Sequence, residues 1–368
     1  MVNKDQVHPV NVIQTHDWFA ECKRNQSKLA IQHPLIITSR GNLARLKLAA
    51  KFDQRSIFSN VDINPSLHSC AYAIEFCQSN DFDGVIAIGG GSVMDTSKSV
   101  MASMSTGIYD IEKLIRLNGQ YKTHIPAIFI PTTHGTGSEV TMWGTIWGFQ
   151  QEKKYSISNS ALFPDVAILD GKLTLTLPLD ISLTTVLDAL SHSLESIWNR
   201  NSNPQSTEYA TIAIGKIFEN IDKLKSNPSD LTVRKELLLA SNLAGLAFSR
   251  TKTAAAHSIS YPLTIDFNIP HGIACSITLP SLLRTNESAI LTELKAIFSD
   301  LKISGIEELI RLIYEIPKGF LKFKLSEWGI NHKHLDLLTN RSFTKERMEN
   351  NIVELNEEKV FSILEECL

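Results

Sequence analysis

The sequence predicts two parts of different fold class: an α/β domain with a parallel sheet over residues 1–179, and an all-helical domain over residues 180–368. In the first part, short apolar runs of the buried-strand type alternate with segments of helical spacing, which is typical of a parallel sheet covered by helices on both faces. After Pro178, long amphipathic helical patterns replace the strand-like runs. A length of 368 residues also favours about two domains.

The elements of the first part can be placed in chain order. The expected strands are 34–39, 56–61, 84–88, 125–131 and 166–170, with helices expected at 43–52 and 67–78. Ligands of such sheets bind beyond the carboxyl ends of the strands. The expected helices of the second part are 180–198, 204–223, 232–248, 306–319 and 359–368, and the loops between them carry Pro, Asn and Ser.

The composition excludes several classes of function. The chain is 43% hydrophobic and 20% charged, which is ordinary for a globular protein, and a net charge of −3 gives no sign of a nucleic-acid surface. Five cysteines without CxxC spacing favour reduced thiols over a disulfide framework. The first ten residues lack the apolar core of a signal peptide, and no apolar run is long enough to span a membrane. We therefore expect a cytoplasmic protein.

Four side chains in the second part predict a metal site. Asp188 and His192 are four residues apart in a helical segment, so they lie on one helix face. His257 and His271 follow and could complete the site from a second helix and the loop after it. One carboxylate and three imidazoles suit a divalent metal such as Fe(II), Zn(II), Mn(II) or Co(II), and a catalytic metal keeps one position open for substrate oxygen. This pattern predicts a metal enzyme.

Two loops of the first part predict a nucleotide site. Gly89-Gly90-Gly91-Ser92 follows an expected strand and precedes a helical segment, where bare backbone and a helix N-terminus favour phosphate. The loop PTTHGTGSE (131–139) follows another expected strand with further hydroxyls and glycines. The alternative for the first loop is a tight turn that caps its helix without a ligand. Neither loop is the GxGxxG fingerprint, so the nucleotide is not identified by them.

Taken together, the chain resembles the iron-containing (group III) alcohol dehydrogenase family. The matching stretches are DGVIAIGGGSVMDTSKS (83–99), PTTHGTGSE (131–139), FPDVAILD (163–170), LPLDISLTTVLDALSHSLES (177–196) and IPHGIACSITLP (269–280). The resemblance implies a dinucleotide-binding α/β domain, a metal-binding helical domain, and NAD(P)-dependent interconversion of an alcohol and an aldehyde. It also implies Fe(II), with Zn(II) as an alternative, and a homodimer.

The resemblance also implies, position by position, which residues form the metal site and the cofactor site. The metal ligands would be Asp188, His192, His257 and His271. The cofactor would contact Asn64, Gly89, Gly90, Gly91, Ser92, Thr132, Thr133, Thr136 and Lys154.

Three places depart from the family pattern, and the first two concern the cofactor and proton transfer. Where many members have an acidic residue that holds the adenosine ribose, this chain has Ser39 followed by Arg40, so NADPH becomes an alternative to NADH. Arg40 could equally be a solvated loop charge. Where many members have a further histidine thought to help proton transfer, this chain has Tyr261, which is either a proton relay or a core residue.

The segment before His257 predicts an anionic substrate. Arg250 and Lys252 stand where ordinary members are apolar, and two cations beside a metal ligand are costly to desolvate without a counter-charge. The strings RTKTAAAHSISYPLT (250–264), TMWGTIW (141–147) and RMENN (347–351) resemble the phosphonoacetaldehyde reductase branch of the family. This implies reduction of phosphonoacetaldehyde to 2-hydroxyethylphosphonate, with Arg250 and Lys252 on the phosphonate. The alternative is a surface helix end where both cations meet solvent.

Other functions remain open from the sequence. The chain could be a general iron-type alcohol dehydrogenase for neutral alcohols, or could reduce another acidic aldehyde such as sulfoacetaldehyde or succinic semialdehyde. A more remote alternative is a lyase related to the dehydroquinate synthases, which share the two-domain plan and bind a phosphorylated substrate. Net consumption of NAD(P)H separates a reductase from that lyase.

Overall fold

The computed structural model describes residues 8–117, 119–121, 123–151 and 153–368. The chain forms two compact units. The α/β unit contains the residues up to Thr133 together with Gly137–Thr176, and the helical unit contains His134–Thr136 together with Leu177–Leu368.

The described strands of the α/β unit are β1 (Asn11–Gln14), β2 (Pro34–Thr38), β3 (Ile57–Phe58), β4 (Gly84–Gly89), β5 (Ala127–Pro131), β6 (Trp143–Gly148), β7 (Lys153–Ser158) and β8 (Val166–Leu169). Six of them form a parallel sheet in the order β1-β8-β5-β4-β2-β3, while β6 and β7 form an antiparallel hairpin. The helices of this unit are α1 (Trp18–Lys28), α2 (Arg40–Arg45), α3 (Leu67–Gln78), α4 (Gly91–Thr106) and α5 (Ile111–Arg116). The predicted fold class is confirmed.

The central strands are buried on both faces, which explains their continuous apolar sequences. In β4, Val85 and Ala87 belong to one apolar cluster, whereas Ile86 and Ile88 belong to another. Alternate side chains of a strand point to opposite faces, so the two clusters lie on the two sides of the sheet. The parallel register aligns Gly89 of β4 with Pro131 of β5. The two glycine- and threonine-containing loops therefore leave the sheet at neighbouring positions.

Two expected elements of this unit differ from the structure, and two observed strands were not expected. The strand expected at 56–61 is reduced to Ile57–Phe58. The helix expected at 43–52 begins earlier, because Ser39 caps it by accepting a hydrogen bond from the Asn42 backbone. It also ends earlier, because Lys47 adopts a left-handed conformation with φ 52° and a 3₁₀ turn follows. Strands β1 and β7 were not predicted, since their exposed and partly polar residues lack an apolar run.

The helical unit contains α6 (Leu179–Ile197), α7 (Pro204–Ser226), α8 (Leu231–Thr251), α9 (Ala255–Phe267), α10 (His271–Ser276), α11 (Leu279–Asn286), α12 (Leu291–Leu301), α13 (Ile306–Glu315), α14 (His332–Arg341), α15 (Lys345–Met348) and α16 (Glu357–Glu366). One apolar core joins these helices. The long helices coincide with the predicted amphipathic segments to within a few residues. In the described part of the chain, every helix is too short or too polar to cross a membrane.

Candidate metal and nucleotide sites

Four side chains of the helical unit bring possible ligand atoms together. They are Asp188 on α6, His257 on α9, and His271 and Cys275 on α10, and one atom from each lies within 4.8 Å of the others. Asp188 and His257 are almost fully buried. Three residues of the predicted metal set are therefore in this cluster, joined by a cysteine that the sequence interpretation did not include.

A close helix contact brings α10 to Asp188. Gly272 packs against α6 so tightly that a Cβ atom at this position would lie 2.0 Å from the Thr184 carbonyl oxygen. The Ser276 hydroxyl reinforces the contact by donating to the Leu187 carbonyl at 2.8 Å. Only glycine fits beside His271, which explains the His-Gly pair in the sequence. The packing of α10 on α6 thus positions His271 next to Asp188.

Three buried polar atoms in and beside this cluster have no hydrogen-bond partner among the described residues. They are Asp188 Oδ1, His192 Nδ1 and His257 Nε2. His257 Nε2 lies 3.7 Å from Asp188 Oδ1, which is too far for a hydrogen bond. Leaving such atoms buried and unpaired costs about 1–3 kcal/mol each. A bound cation would satisfy all three, so the residues fit a divalent metal with oxygen and nitrogen ligands.

Glu195, which the sequence interpretation missed, orients His257. This fully buried carboxylate accepts from the His257 backbone N–H at 3.0 Å, and it is also hydrogen-bonded to His257 Nδ1. Burial acts to raise the pKa of Glu195, but the charge of His257 and these hydrogen bonds outweigh it and lower the pKa. An ionised carboxylate can only accept, so Nδ1 carries a proton, and Nε2 is the nitrogen at which a metal would take the place of a proton.

His192 lies beside the cluster rather than among its four closest atoms. Its Nδ1 is 3.9 Å from Asp188 Oδ1, and its ring stacks on that of His257 with 4.5 Å between centroids. Burial lowers the pKa of His192 to about 4, with Asp188 acting in the opposite direction. A hydrogen bond to the Gly135 backbone also holds the ring. His192 is therefore a neutral imidazole within reach of the same cation.

Cys275 adds a thiol to this oxygen and nitrogen set. It is four residues after His271 on α10, and its Sγ lies 3.6 Å from both nitrogens of the His271 ring. The spacing of four was visible in the sequence, but a lone cysteine without a partner motif carried no signal. Sulfur is a softer ligand than imidazole or carboxylate and favours Zn(II) over Fe(II).

We expect Cys275→Ser to weaken Zn(II) binding by about tenfold and Fe(II) binding by less, because serine removes only the soft ligand. Competition with a chelating indicator under anaerobic conditions measures both affinities. Cys70→Ser is the matched control, since Cys70 is a buried thiol of the α/β unit. Equal losses for the two metals would contradict a role of the thiol in metal selection.

The α/β unit brings its predicted loop residues together at the carboxyl edge of the sheet. The Thr132 backbone N–H donates to the Gly89 carbonyl at 3.0 Å, and a Cβ atom on Gly90 would lie 3.0 Å from the Thr133 side chain. Gly90 is the N-cap of α4 and has no side chain to occupy the first turn. The N-terminus of this 16-residue helix, which begins at Gly91, can therefore receive an anionic group.

Other predicted cofactor residues surround the same edge. The Asn64 backbone N–H donates to the Ser92 hydroxyl at 3.1 Å, and Asn42 Nδ2 donates to the Thr132 hydroxyl at 3.2 Å. Ser39 ends β2 and caps α2. Arg40 donates to Asn60 Oδ1 at 2.7 Å.

The remaining two predicted cofactor residues lie elsewhere. The Lys154 ammonium is on β7, 4.7 Å from the Trp147 ring centroid, and Thr136 belongs to the helical unit.

Lys98 is a further residue of the α/β unit that the sequence interpretation missed. Its fully buried ammonium donates to the Ser138 carbonyl and hydroxyl and to the Thr141 hydroxyl, each at 2.8 Å, and to the Trp143 carbonyl. Burial lowers the pKa of Lys98 to about 8, against the charges of Asp95 and Glu139. Lys98 therefore ties α4 to the segment after β5, at the base of both loops.

We expect Lys98→Met to lower the free energy of unfolding by about 3–5 kcal/mol, because four buried acceptors would lose their donor and the half-buried Asp95 carboxylate would lose its cation. Urea unfolding followed by circular dichroism measures the change. Lys113→Met on the exposed face of α5 is the matched control. A loss of less than about 1 kcal/mol would mean that Lys98 contributes no more to the free energy of unfolding than an ordinary surface lysine does.

Of the three residues predicted for substrate binding and proton transfer, Arg250 and Lys252 lie at the end of α8, and Tyr261 lies in the middle of α9. Arg250 is half-buried in the last turn of α8, and Lys252 follows the helix as an exposed residue. Lys252 has φ 63° and ψ 177°, a conformation that favours glycine and costs about 1–3 kcal/mol elsewhere. Tyr261 is buried one turn after His257, and burial raises its pKa to about 12, so it is a neutral phenol at physiological pH.

Comparison with known families gives two matches that together span most of the chain. Residues 9–171 match the family model "Iron-containing alcohol dehydrogenase". Residues 182–368 match "Fe-containing alcohol dehydrogenase family, C-terminal". The first match covers the α/β unit and the second covers most of the helical unit.

Individual relatives extend this comparison. Long-chain-alcohol dehydrogenase 1 of Geobacillus thermodenitrificans is 31% identical over 79% of this chain and 76% of its own. Phosphonoacetaldehyde reductase of Streptomyces viridochromogenes is 32% identical over 56% of this chain and 54% of its own. Among solved structures, sulfoacetaldehyde reductase of Bifidobacterium kashiwanohense in complex with NAD⁺ is 26% identical, with a TM-score of 0.89 over 98% of this chain and 97% of that one.

Proposed function

This chain belongs to the iron-containing alcohol dehydrogenase family, and from that premise we propose that it reduces a small anionic aldehyde with a nicotinamide cofactor. The substrate would be phosphonoacetaldehyde and the product 2-hydroxyethylphosphonate. In this proposal, residues 1–179 bind the cofactor and residues 180–368 bind the metal and the anionic group. Membership of the family makes the chain an oxidoreductase, whereas the choice of substrate depends on the cations of the helical unit.

One observation carries the choice of an anionic substrate. The two segments that suggested the substrate, RTKT (250–253) and RMENN (347–351), are joined by hydrogen bonds. Asn350 Nδ2 donates to the Thr253 carbonyl at 2.8 Å, and Asn201 bridges the Thr251 carbonyl and Asn350 Oδ1 at 3.3 Å each. These bonds hold the segment that carries Arg250 and Lys252 against the segment that carries Arg347. Such a concentration of positive charge favours an oxyanion.

The residues of the metal site would act as ligands, as the partner that orients one ligand, and as a proton donor. Asp188, His192, His257 and His271 would hold Fe(II) or Zn(II), and Glu195 would keep His257 in the tautomer that a metal requires. A divalent metal supplies a Lewis acid that polarises the carbonyl group of the aldehyde. The phenol of Tyr261 would donate the proton to the oxygen of the product, and burial raises its pKa to about 12, so the proton is present at physiological pH.

Most of the proposed cofactor-binding residues lie at the carboxyl edge of the sheet, whereas Lys154 is on β7 and Thr136 belongs to the helical unit. The backbone of Gly89, Gly90, Gly91 and Ser92 would bind the pyrophosphate at the N-terminus of α4, and Asn64, Thr132, Thr133, Thr136 and Lys154 would make further contacts. The nicotinamide cofactor supplies the hydride. Ser39 and Arg40 bring no negative charge to the ribose, so both NADH and NADPH are candidates, with Arg40 favouring the 2′-phosphate.

A comparison of two aldehydes tests the proposal. Purified protein with Fe(II) and either NADH or NADPH is given phosphonoacetaldehyde or butyraldehyde, and the loss of reduced-nicotinamide absorbance is followed. We expect kcat/KM to favour phosphonoacetaldehyde by about 100-fold or more, because a site built for a charged group rejects a substrate that lacks it. Equal or better turnover of butyraldehyde would indicate a general alcohol dehydrogenase. Better turnover of sulfoacetaldehyde in a further run of the same assay would keep the preference for an anionic aldehyde but change the substrate.

A further inference from the structure

Arg347 on α15 lies over the ring of Tyr261. Its guanidinium carbon is 5.0 Å from the ring centroid, a distance typical of a cation–π contact. Tyr261 is one helical turn after His257 on α9 and is almost fully buried. Residues four apart lie on the same face of a helix, so Tyr261 links the guanidinium to the metal-ligand cluster.

Hydrogen bonds on both sides of α15 fix the short helix that carries Arg347. The Thr344 backbone N–H, just before α15, donates to the hydroxyl of Ser258 at 3.0 Å, and Ser258 is the neighbour of His257. On the other side of α15, the Arg200 backbone N–H donates to the Asn350 carbonyl at 2.8 Å. The Asn350 side chain also donates a hydrogen bond from Nδ2 to the Thr253 carbonyl. The α15 turn is therefore attached to the metal-binding helix and to the segment that carries Arg250 and Lys252.

The guanidinium of Arg347 retains its capacity to bind an anion. Among the described residues, no carboxylate lies within ion-pair distance of it, and the side chain is half-buried rather than enclosed. By comparison, Arg341 on the preceding helix is paired with Asp266 at 3.0 Å. A guanidinium over a ring makes no hydrogen bond to the ring oxygen by that contact, and its fork of N–H donors matches two oxygens of one tetrahedral oxyanion.

We propose that Arg347 binds the oxyanion of the substrate and thereby selects aldehydes that carry a phosphonate or sulfonate group. This assignment rests on the reductase function proposed above. Tyr261 places the guanidinium, and the two oxygens of the anion accept from its N–H groups. The aldehyde end of the same short molecule then extends toward the metal-ligand cluster. Arg250 and Lys252 neutralise the remaining charge of the anion.

The substitution Arg347→Gln tests the assignment, because glutamine keeps a polar side chain but loses the charge and the fork of donors. We expect the ratio of kcat/KM for phosphonoacetaldehyde to that for butyraldehyde to fall by about 30-fold or more, mainly through KM. Arg347→Lys keeps the charge without the bidentate geometry and should recover part of this loss. Arg311→Gln, an exposed arginine of α13, is the matched control and should leave the ratio unchanged.

A binding measurement complements the kinetics. Methylphosphonate should inhibit butyraldehyde reduction by the wild-type protein, and its inhibition constant should rise by about tenfold or more in Arg347→Gln. If the wild-type protein prefers phosphonoacetaldehyde and Arg347→Gln keeps both the ratio and the inhibition constant, the assignment of Arg347 is overturned while the proposed function stands. If the wild-type protein shows no preference for an anionic aldehyde, both are overturned.

Discussion

Replacing His257 with alanine is expected to remove the metal and to lower kcat/KM for aldehyde reduction by about 1,000-fold or more. His257 contributes the buried Nε2 that has no hydrogen-bond partner, and it lies between Asp188 and Glu195. Lewis-acid activation is worth several kcal/mol, and every 1.36 kcal/mol changes the rate by about tenfold. Metal content after gel filtration and steady-state kinetics measure the two effects.

The matched control for this substitution is His332→Ala. His332 is an exposed histidine of α14, and its Nδ1 lies 3.6 Å from Glu365. It should retain both the metal and the activity of the wild-type protein. If His257→Ala kept one metal per chain with unchanged kinetics, the cluster of Asp188, His257 and His271 would not be the catalytic metal site.

Replacing Glu195 with glutamine should weaken metal binding by about 10- to 100-fold while leaving all four candidate ligands in place. The two carboxylate oxygens receive two hydrogen bonds from His257, one from its backbone and one from its ring. Glutamine has one oxygen and one NH₂ group, so one of these donors would face another donor. The ring would then be free to change its tautomer and lose the Nε2 lone pair that a metal needs.

Titration of the metal-free protein with Co(II) measures the effect of Glu195→Gln. Glu219→Gln is the matched control, because Glu219 is an exposed carboxylate of α7. Unchanged Co(II) affinity in Glu195→Gln would mean that His257 is oriented by its packing alone. In that case the buried carboxylate would have only a structural role.

Local patterns explain which parts of the fold could be predicted from the sequence. Helix α3 was predicted at its observed bounds, since Ser66 caps it and its buried face has helical spacing. Strand β4 was predicted because a strand buried on both faces is a continuous apolar run. The 3₁₀ turn at Leu48–Ala50 was not, because it depends on the left-handed Lys47. A solvent-exposed edge strand such as β1 carries too weak a pattern.

In the candidate site too, residues with a local spacing pattern could be predicted, and residues that depend on contacts between helices could not. Asp188 and His192 could be proposed as a pair because one helix turn separates them, and His257 and His271 could be proposed as later histidines that complete the set, which the family resemblance then supported. Glu195, Cys275 and Arg347 were missed, because their parts depend on contacts between α6, α9, α10 and α15 that no local spacing reveals. Lys98 was missed for a similar reason, since its four acceptors lie about 40 residues along the chain.

The metal dependence of NAD(P)H oxidation tests most directly whether the chain is a metal-dependent aldehyde reductase. Protein freed of metal by a chelator is mixed with phosphonoacetaldehyde and NADH or NADPH, and absorbance of the reduced cofactor is followed before and after Fe(II) is added anaerobically. We expect negligible oxidation of NAD(P)H before Fe(II) is added and rapid stoichiometric oxidation after it. His257→Ala should show no response to the metal. Equal oxidation with and without metal, or consumption of the aldehyde without loss of reduced cofactor, would contradict this function.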